Sequence, residues 1–102
     1  MQSYAVAWSE DGAAVRVGKL ELLDGGLRIE SGTHQDGRIS IRRVTVRDVA
    51  KADMAPVRSR IAARPTIVVT SLRGVVAIAP AGIGAASEAL ALLQAALAEA
   101  VA

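Results

Sequence analysis

Few residues in this sequence are of the types that catalyse reactions or bind metals. His34 is the only histidine, and the chain has no cysteine. His34 stands two residues before Asp36 in a polar stretch, residues 32–37, which we expect to form the loop at a hairpin tip. A catalytic triad needs a nucleophile held in fixed geometry, and a thiolate metal site needs cysteine. We therefore predict no catalytic residue, no metal and no cofactor, and we expect that the protein is not an enzyme.

Two glycines near the C-terminus partly match a nucleotide-binding motif. Gly82-Ile83-Gly84 follows a predicted strand and precedes a predicted helix, which is half of the dinucleotide-binding fingerprint. However, Ser87 occupies the third glycine position, and the sequence ends with the helix, whereas the fingerprint needs a following parallel strand. We interpret the segment as a strand-to-helix corner. An anion bound by the free N–H groups of the helix start is the functional alternative.

Arginine is the most common charged residue, and it is unevenly placed. Residues 38–82 hold nine basic and two acidic side chains, whereas residues 1–37 hold three basic and six acidic ones. Such segregation can create a local positive field that attracts anions. The candidate binding residues are Arg42, Arg43, Arg47, Arg58, Arg60 and Arg64. The alternative is an ordinary solvated surface, because strand alternation would scatter successive arginines over opposite faces.

The apolar pattern changes phase at two positions. The first change, near Gly18, predicts a bulge or kink. The second, at Arg42 and Arg43, predicts a bend between two strands. This bend would re-aim side chains that strict alternation separates, and it would bring Arg42, Arg43 and Arg47 near Arg58, Arg60 or Arg64.

The elements that must position these arginines are short strands followed by one helix. Asp24-Gly25-Gly26 and Ser71-Leu72-Arg73-Gly74 separate apolar runs and predict two hairpins. From about Ile83 to Val101, apolar residues recur at three- and four-residue spacing. This spacing predicts an amphipathic helix whose buried face includes Leu90, Leu93 and Leu97.

The fold class follows from this order of elements. We expect a single domain over residues 1–102 that is mainly β, with one C-terminal α-helix. The strands, about seven in number, should form a curled or barrel-like antiparallel sheet, with the helix capping one end.

Several segments carry a family resemblance. They are Val17-Gly18-Lys19-Leu20-Glu21-Leu22 with Gly26-Leu27-Arg28-Ile29, Ile39-Ser40-Ile41, Thr66-Ile67-Val68-Val69 with Gly74-Val75-Val76-Ala77-Ile78, and residues 88–97. Their order resembles the strands and terminal helix of the pleckstrin-homology-like superfamily, especially its short bacterial and GRAM-type members. The resemblance implies a PH-like binding module, but it does not supply the ligand. The family's basic inositol-phosphate motif lies in its first hairpin, where this chain sets Arg16 and Lys19 against Glu21 and Asp24.

Composition and charge limit the classes of partner that the protein is expected to bind. Tyr4 and Trp8 are the only aromatic residues and the predicted helix is acidic, so nucleic-acid binding is not expected. No targeting segment and no long apolar run is visible, so we expect a cytoplasmic protein, with peripheral attachment to an anionic membrane surface as an option. We predict that residues 38–66 dock a protein, a peptide or an anionic head group. The alternative is a structural protein that self-associates as a homo-oligomer through its helix or an edge strand.

Overall fold

Seven antiparallel strands and one helix make up the fold in a computed structural model, which describes residues 3–23, 26–35, 37–47, 49–72, 74–82 and 84–101. The elements are β1 Ser3–Glu10, β2 Arg16–Leu23, β3 Gly26–Gln35, β4 Arg38–Val46, β5 Val49–Met54, β6 Ile67–Ser71, β7 Gly74–Pro80 and the helix α1 Ala85–Val101. Two short 3-10 turns, Val57–Ser59 and Ile61–Ala63, lie between β5 and β6. The predicted fold class, mainly β with a C-terminal helix, is confirmed.

The strands form one sheet in the order β4-β3-β2-β1-β7-β6-β5. Strands that are adjacent in sequence pair with each other, except for β4 and β5, and β1 also pairs with β7 to join the two halves of the sheet. Both predicted hairpins are present, as β2–β3 and β6–β7; Asp24, Gly25 and Arg73 lie outside the described residues. The sheet curls without closing into a barrel, so β4 and β5 are its edges.

The core lies on one face of this curled sheet. Because side chains alternate between the two faces of a strand, cross-strand partners such as Trp8 and Ile78, or Leu20 and Ile29, point inward together. All four of these side chains are fully buried, and Ile67 joins them. Valines, alanines, Leu27 and Leu93 fill the rest of the core around Trp8.

The helix α1 covers one end of this core, where it packs against β5 and β7. Leu93 is buried, and Leu90 and Leu97 are partly buried against the core, as predicted. The side-chain amide Nε2 of Gln94 donates a hydrogen bond to the Ala52 carbonyl at 3.0 Å. Ile83, the predicted first residue of the helix, lies outside the described residues.

Residues 32–35 of the polar stretch 32–37 form strand rather than loop, contrary to the prediction, and Gly37 lies in the turn between the paired Gln35 and Arg38. β3 continues to Gln35, and His34 lies in this strand opposite Ile39 of β4. Beyond the last pairing with β2, the β3–β4 ladder therefore continues as a two-stranded hairpin. Asp36 lies outside the described residues.

The predicted bend at Arg42 and Arg43 and the predicted bulge at Gly18 are also wrong. β4 pairs with β3 without interruption from Arg38 to Val46, and β2 is regular through Gly18. The phase changes arise because Val17 and Ile41, 75% and 63% exposed, face outward rather than into the core. Gly18 instead serves close strand packing, since a Cβ there would collide with the Glu30 carbonyl.

Candidate functional site

The structure divides the six candidate arginines into two groups. Arg42 and Arg43 lie in β4, and Arg47 follows it directly. The other three lie in residues 55–66 between β5 and β6, which we call the basic connection: Arg58, Arg60 and Arg64. The basic connection joins Met54 to Ile67, which pair at one end of the β5–β6 ladder, while Val49 and Ser71 pair at the other end.

The first group lines a cleft of about 470 Å³, which we call the β4 cleft. One wall is formed by residues 42–47, and the other by residues 71–72 and 74–76 of the β6–β7 hairpin; Glu10 and Asp11 complete the lining. Six consecutive residues touch the cleft although their side chains alternate between faces. The wall is therefore the outer edge of β4. Because Ser71 is at the far end of the ladder from the basic connection, the two groups do not form a single patch.

Arg42 is held by an ion pair within the protein. It lies on the inner face of the sheet, opposite the buried Ser31. Its Nε and Nη2 atoms donate to the two carboxylate oxygens of Glu10, each at 3.0 Å. This bidentate geometry is the strong form of an arginine–carboxylate contact, and Glu10 raises the pKa of Arg42 above its ordinary value.

Arg43 points to the opposite face and is also paired. Its Nε and Nη2 atoms each lie 3.3 Å from Oε2 of Glu30, its cross-strand partner. Farther along this outer face, Glu21 lies 2.7 Å from Arg28 and 3.1 Å from Lys19. The hydrogen bonds from these two cations lower the pKa of Glu21. The outer face of β2–β4 thus carries ion pairs, two of them between neighbouring strands and one, Lys19 with Glu21, within β2.

Arg47 differs from its two neighbours in β4. It is exposed and lines the β4 cleft, and no carboxylate among the described residues lies within 4.0 Å of its guanidinium nitrogens. Among the described residues that line the cleft, Arg47 is therefore the arginine whose charge is not neutralised by a carboxylate and can interact with an external anion.

A tight turn fixes one side of the β4 cleft. Asp11 and Gly12, with φ of 46° and 78°, are the central residues of the turn that the Ala13 N–H closes on the Glu10 carbonyl at 2.8 Å. This is the type I′ geometry that Asp-Gly favours. Asp11 then clamps Val75: its N–H donates to the Val75 carbonyl, and its carboxylate accepts from the Val75 N–H, both at 2.8 Å. Gly74 makes room, since a Cβ there would lie 2.8 Å from the Asp11 carboxylate.

The basic connection is held in place by hydrogen bonds around Thr66, which is fully buried. The Thr66 hydroxyl accepts from the Ile61 N–H and donates to the Arg64 carbonyl, both at 2.9 Å. The Thr66 carbonyl also accepts from the Ala55 N–H at 2.7 Å. The connection is therefore a defined turn structure even though it contains no helix longer than one turn.

A second tight turn inside the connection is formed by alanines. Ala62 and Ala63 have φ of 50° and 57°, and the Arg64 N–H closes the turn on the Ile61 carbonyl at 2.9 Å. Left-handed backbone costs an ordinary L-residue roughly 1–2 kcal/mol. The Thr66 contacts therefore hold the turn against the local preference of its residues.

Among the described residues, the arginines of the basic connection have no acidic partner. The stretch 54–66 contains no acidic residue, and within the described chain none of its three arginines forms an ion pair. Arg60 Nε makes a long contact of 3.5 Å with the Ala55 carbonyl. Beside Arg58, the side chain of Val57 is 76% exposed. The result is a positive surface that also presents an apolar side chain.

The sequence analysis did not identify the residues that pair with the arginines or lie beside them in each group. Glu10, Asp11 and Val57 were not among the candidate residues, and Leu72 and Val75 were assigned only to the second predicted hairpin. The Asp-Gly pair signalled the turn, but the contacts of Glu10 with Arg42 and of Asp11 with Val75 depend on strand order. Among the described residues, no group of three His, Asp or Glu side chains converges as a metal site. Within the same residues, no helix is long and apolar enough to span a membrane.

Comparisons with known proteins identify a similar fold but no family. No protein-family model and no curated protein matches the sequence. A similar solved structure is the C-terminal domain of an unknown protein from Leishmania infantum, with a TM-score of 0.61 and 16% identity. The match covers 91% of this chain and 81% of that one. The seven-stranded sheet with its C-terminal helix is therefore a fold that this chain shares with the Leishmania domain.

Proposed function

We propose that this protein is a non-enzymatic, PH-like binding module whose basic connection docks onto an anionic membrane surface. The observation that carries the proposal is the set of three arginines, Arg58, Arg60 and Arg64, with no carboxylate among the described residues to neutralise them. Arginine is well suited to phosphate because its planar guanidinium offers several donors at once.

The order of elements supports the PH-like assignment. Four strands in sequence form one half of the sheet, three form the other, β1 and β7 join them, and a terminal helix packs against the second half. This order is consistent with the family resemblance of the sequence. The site proposed here is not the β2–β3 hairpin, where Lys19 and Arg28 are already paired with Glu21.

The expected binding is weak and electrostatic. A basic residue near an anionic leaflet contributes about 1 kcal/mol, so three arginines give about 3 kcal/mol. Val57 adds apolar area that can enter the head-group region, as exposed apolar side chains of peripheral proteins do. Binding should weaken with salt, because the Debye length falls from about 10 Å at 0.1 M to about 3 Å at 1 M.

Co-sedimentation with vesicles of phosphatidylserine and phosphatidylcholine tests the proposal. The wild-type protein should bind at low salt. Arg58→Gln/Arg64→Gln should lose roughly 25-fold in affinity, since each arginine is worth about fivefold. The matched control, Arg42→Gln/Arg43→Gln, carries the same net charge but should lose less than about threefold, because both arginines are already paired.

Two results would contradict the proposal. One is that the wild-type protein fails to bind anionic vesicles at low salt. The other is that both double variants lose the same affinity, which would mean that net charge alone governs binding.

A further inference from the structure

The open edge of β4 carries a second inference, which does not depend on the proposed membrane surface. We infer that the β4 cleft accepts an extended acidic peptide segment of another protein, which pairs with β4 as an additional strand. Strand addition at a sheet edge is a general mode of peptide recognition, in which backbone hydrogen bonds give affinity and alternate side chains give specificity.

The backbone of β4 is available for this pairing. β4 is an edge of the sheet, and outside the β3 ladder none of its backbone groups is hydrogen-bonded to another described residue. The strand is nine residues long and regular along its whole length. An edge of this length is a template for another strand unless the protein protects it.

A cleft of ligand-site size lies beside the edge. The β4 cleft, of about 470 Å³, separates residues 42–47 from the β6–β7 hairpin. Ligand cavities in proteins are typically about 300–1,000 Å³. The Asp11 contacts with Val75 hold the far wall in place, so the cleft does not need to be formed by the ligand.

The side chains around the cleft define the chemistry of the occupant. Arg47, which has no carboxylate partner among the described residues, provides positive charge beside the edge, whereas Arg43 is paired with Glu30. Val44 and Val46 lie on the alternate, inner face. Leu72, 89% exposed, presents apolar surface on the far wall. A segment that alternates acidic and apolar residues matches this pattern on both faces, because strand side chains also alternate.

A second copy of this chain is disfavoured as the occupant. β4 has no acidic residue, and it carries Arg38, Arg42 and Arg43, with Arg47 directly after it. Pairing β4 with the β4 of another copy would bring these arginines together, and like charges opposite each other destabilise a sheet. The same charges thus oppose self-association and favour an acidic partner.

The test is an NMR titration with a short synthetic peptide of alternating glutamate and valine. The peptide should shift the β4 amide resonances and slow hydrogen exchange of alternate β4 amides, those that point away from β3, at least about tenfold. A peptide with lysine in place of glutamate should not bind. A peptide N-methylated at alternate residues keeps its side chains but loses the ladder donors, and it should also fail to bind.

Protein variants separate this inference from the proposed membrane site. Arg47→Gln should weaken binding of the glutamate–valine peptide about fivefold, the effect of losing one partly exposed charge pair, while Arg58→Gln should leave it unchanged. Failure of the glutamate–valine peptide to bind would overturn the inference, as would equal binding of the lysine or N-methylated peptide. A dimer by light scattering, with β4 amides already protected in the free protein, would assign the edge to a second copy instead.

Discussion

Tyr4 and Glu10 stand near opposite ends of β1, and the surroundings of the two residues differ in kind. Around Tyr4, the apolar face of α1 covers the core, with Leu93 buried and the Tyr4 hydroxyl 2.8 Å from Oε1 of Glu88. Around Glu10, charged and polar contacts hold the strands together: Glu10 pairs with Arg42 of β4, and Asp11 binds the backbone of Val75 in β7.

This difference explains what each group of arginines is free to do. At the Glu10 end, arginine is used to hold the fold, so Arg42 has little capacity for an external anion. At the helix end, apolar packing supplies the stability, and the neighbouring basic connection keeps its arginines without partners among the described residues. The proposed function therefore rests on whether an arginine has an internal carboxylate and not on the number of arginines.

The largest expected effect is at the helix end. Leu93→Ala removes a buried side chain and should cost about 2–5 kcal/mol of unfolding free energy. Leu92→Ala, the matched control on the 40% exposed neighbour, should cost less than about 1 kcal/mol. Denaturant titration measures both. Equal losses would mean that α1 does not pack on the sheet through the Leu93 face.

The sequence predicted local features, such as the buried position of Leu93, but not contacts between residues far apart in the chain. Spacing and turn residues predicted the helix face and both hairpins, because these features depend on residues close in sequence. The bend at Arg42 and Arg43 was predicted wrongly because Ile41 is apolar but exposed. The pair of Glu10 with Arg42, 32 residues apart, could not be predicted because it exists only once the strand order is known.

Tyr4 provides a pH test of the same end. Burial first, and then the hydrogen bond and charge of Glu88, raise the pKa of Tyr4 from 10.0 to about 12. Since the folded pKa is the higher one, this contribution to stability is complete below pH 10 and is lost as the pH rises towards 12. Absorbance at 295 nm follows this single tyrosine. Glu88→Gln should lower the midpoint part of the way, and a wild-type midpoint near 10 would show that the contact is absent.

Removing the contact between Asp11 and Val75 should lower the stability of the protein. Asp11→Ala removes the carboxylate that accepts the Val75 N–H, and it places alanine at a positive φ, so we expect a loss of about 1–2 kcal/mol. Asp53→Ala, at an exposed aspartate near Lys51, should change stability by less than about 0.5 kcal/mol. If thermal unfolding shows no difference between the two variants, the clamp does not stabilise this end.

The smallest effect concerns the backbone of the basic connection. Ala62→Gly should stabilise the protein by about 0.5 kcal/mol, because glycine relieves the left-handed strain but loses more chain entropy on folding. Ala13→Gly, at a residue without positive φ, should be slightly destabilising instead. A loss of stability in Ala62→Gly equal to that in Ala13→Gly would place Ala62 in ordinary backbone.

The availability of each arginine can be measured directly by NMR of the arginine Nε–H groups, first in the free protein and then with bicelles that contain phosphatidylserine. The account predicts that the Arg42 Nε–H exchanges slowly and is unchanged by the bicelles, because Glu10 holds it at 3.0 Å. The Arg58 and Arg64 signals should exchange quickly in the free protein and shift first when bicelles are added. Earlier or larger shifts at Arg42 and Arg43 than at Arg58 and Arg64 would contradict the account.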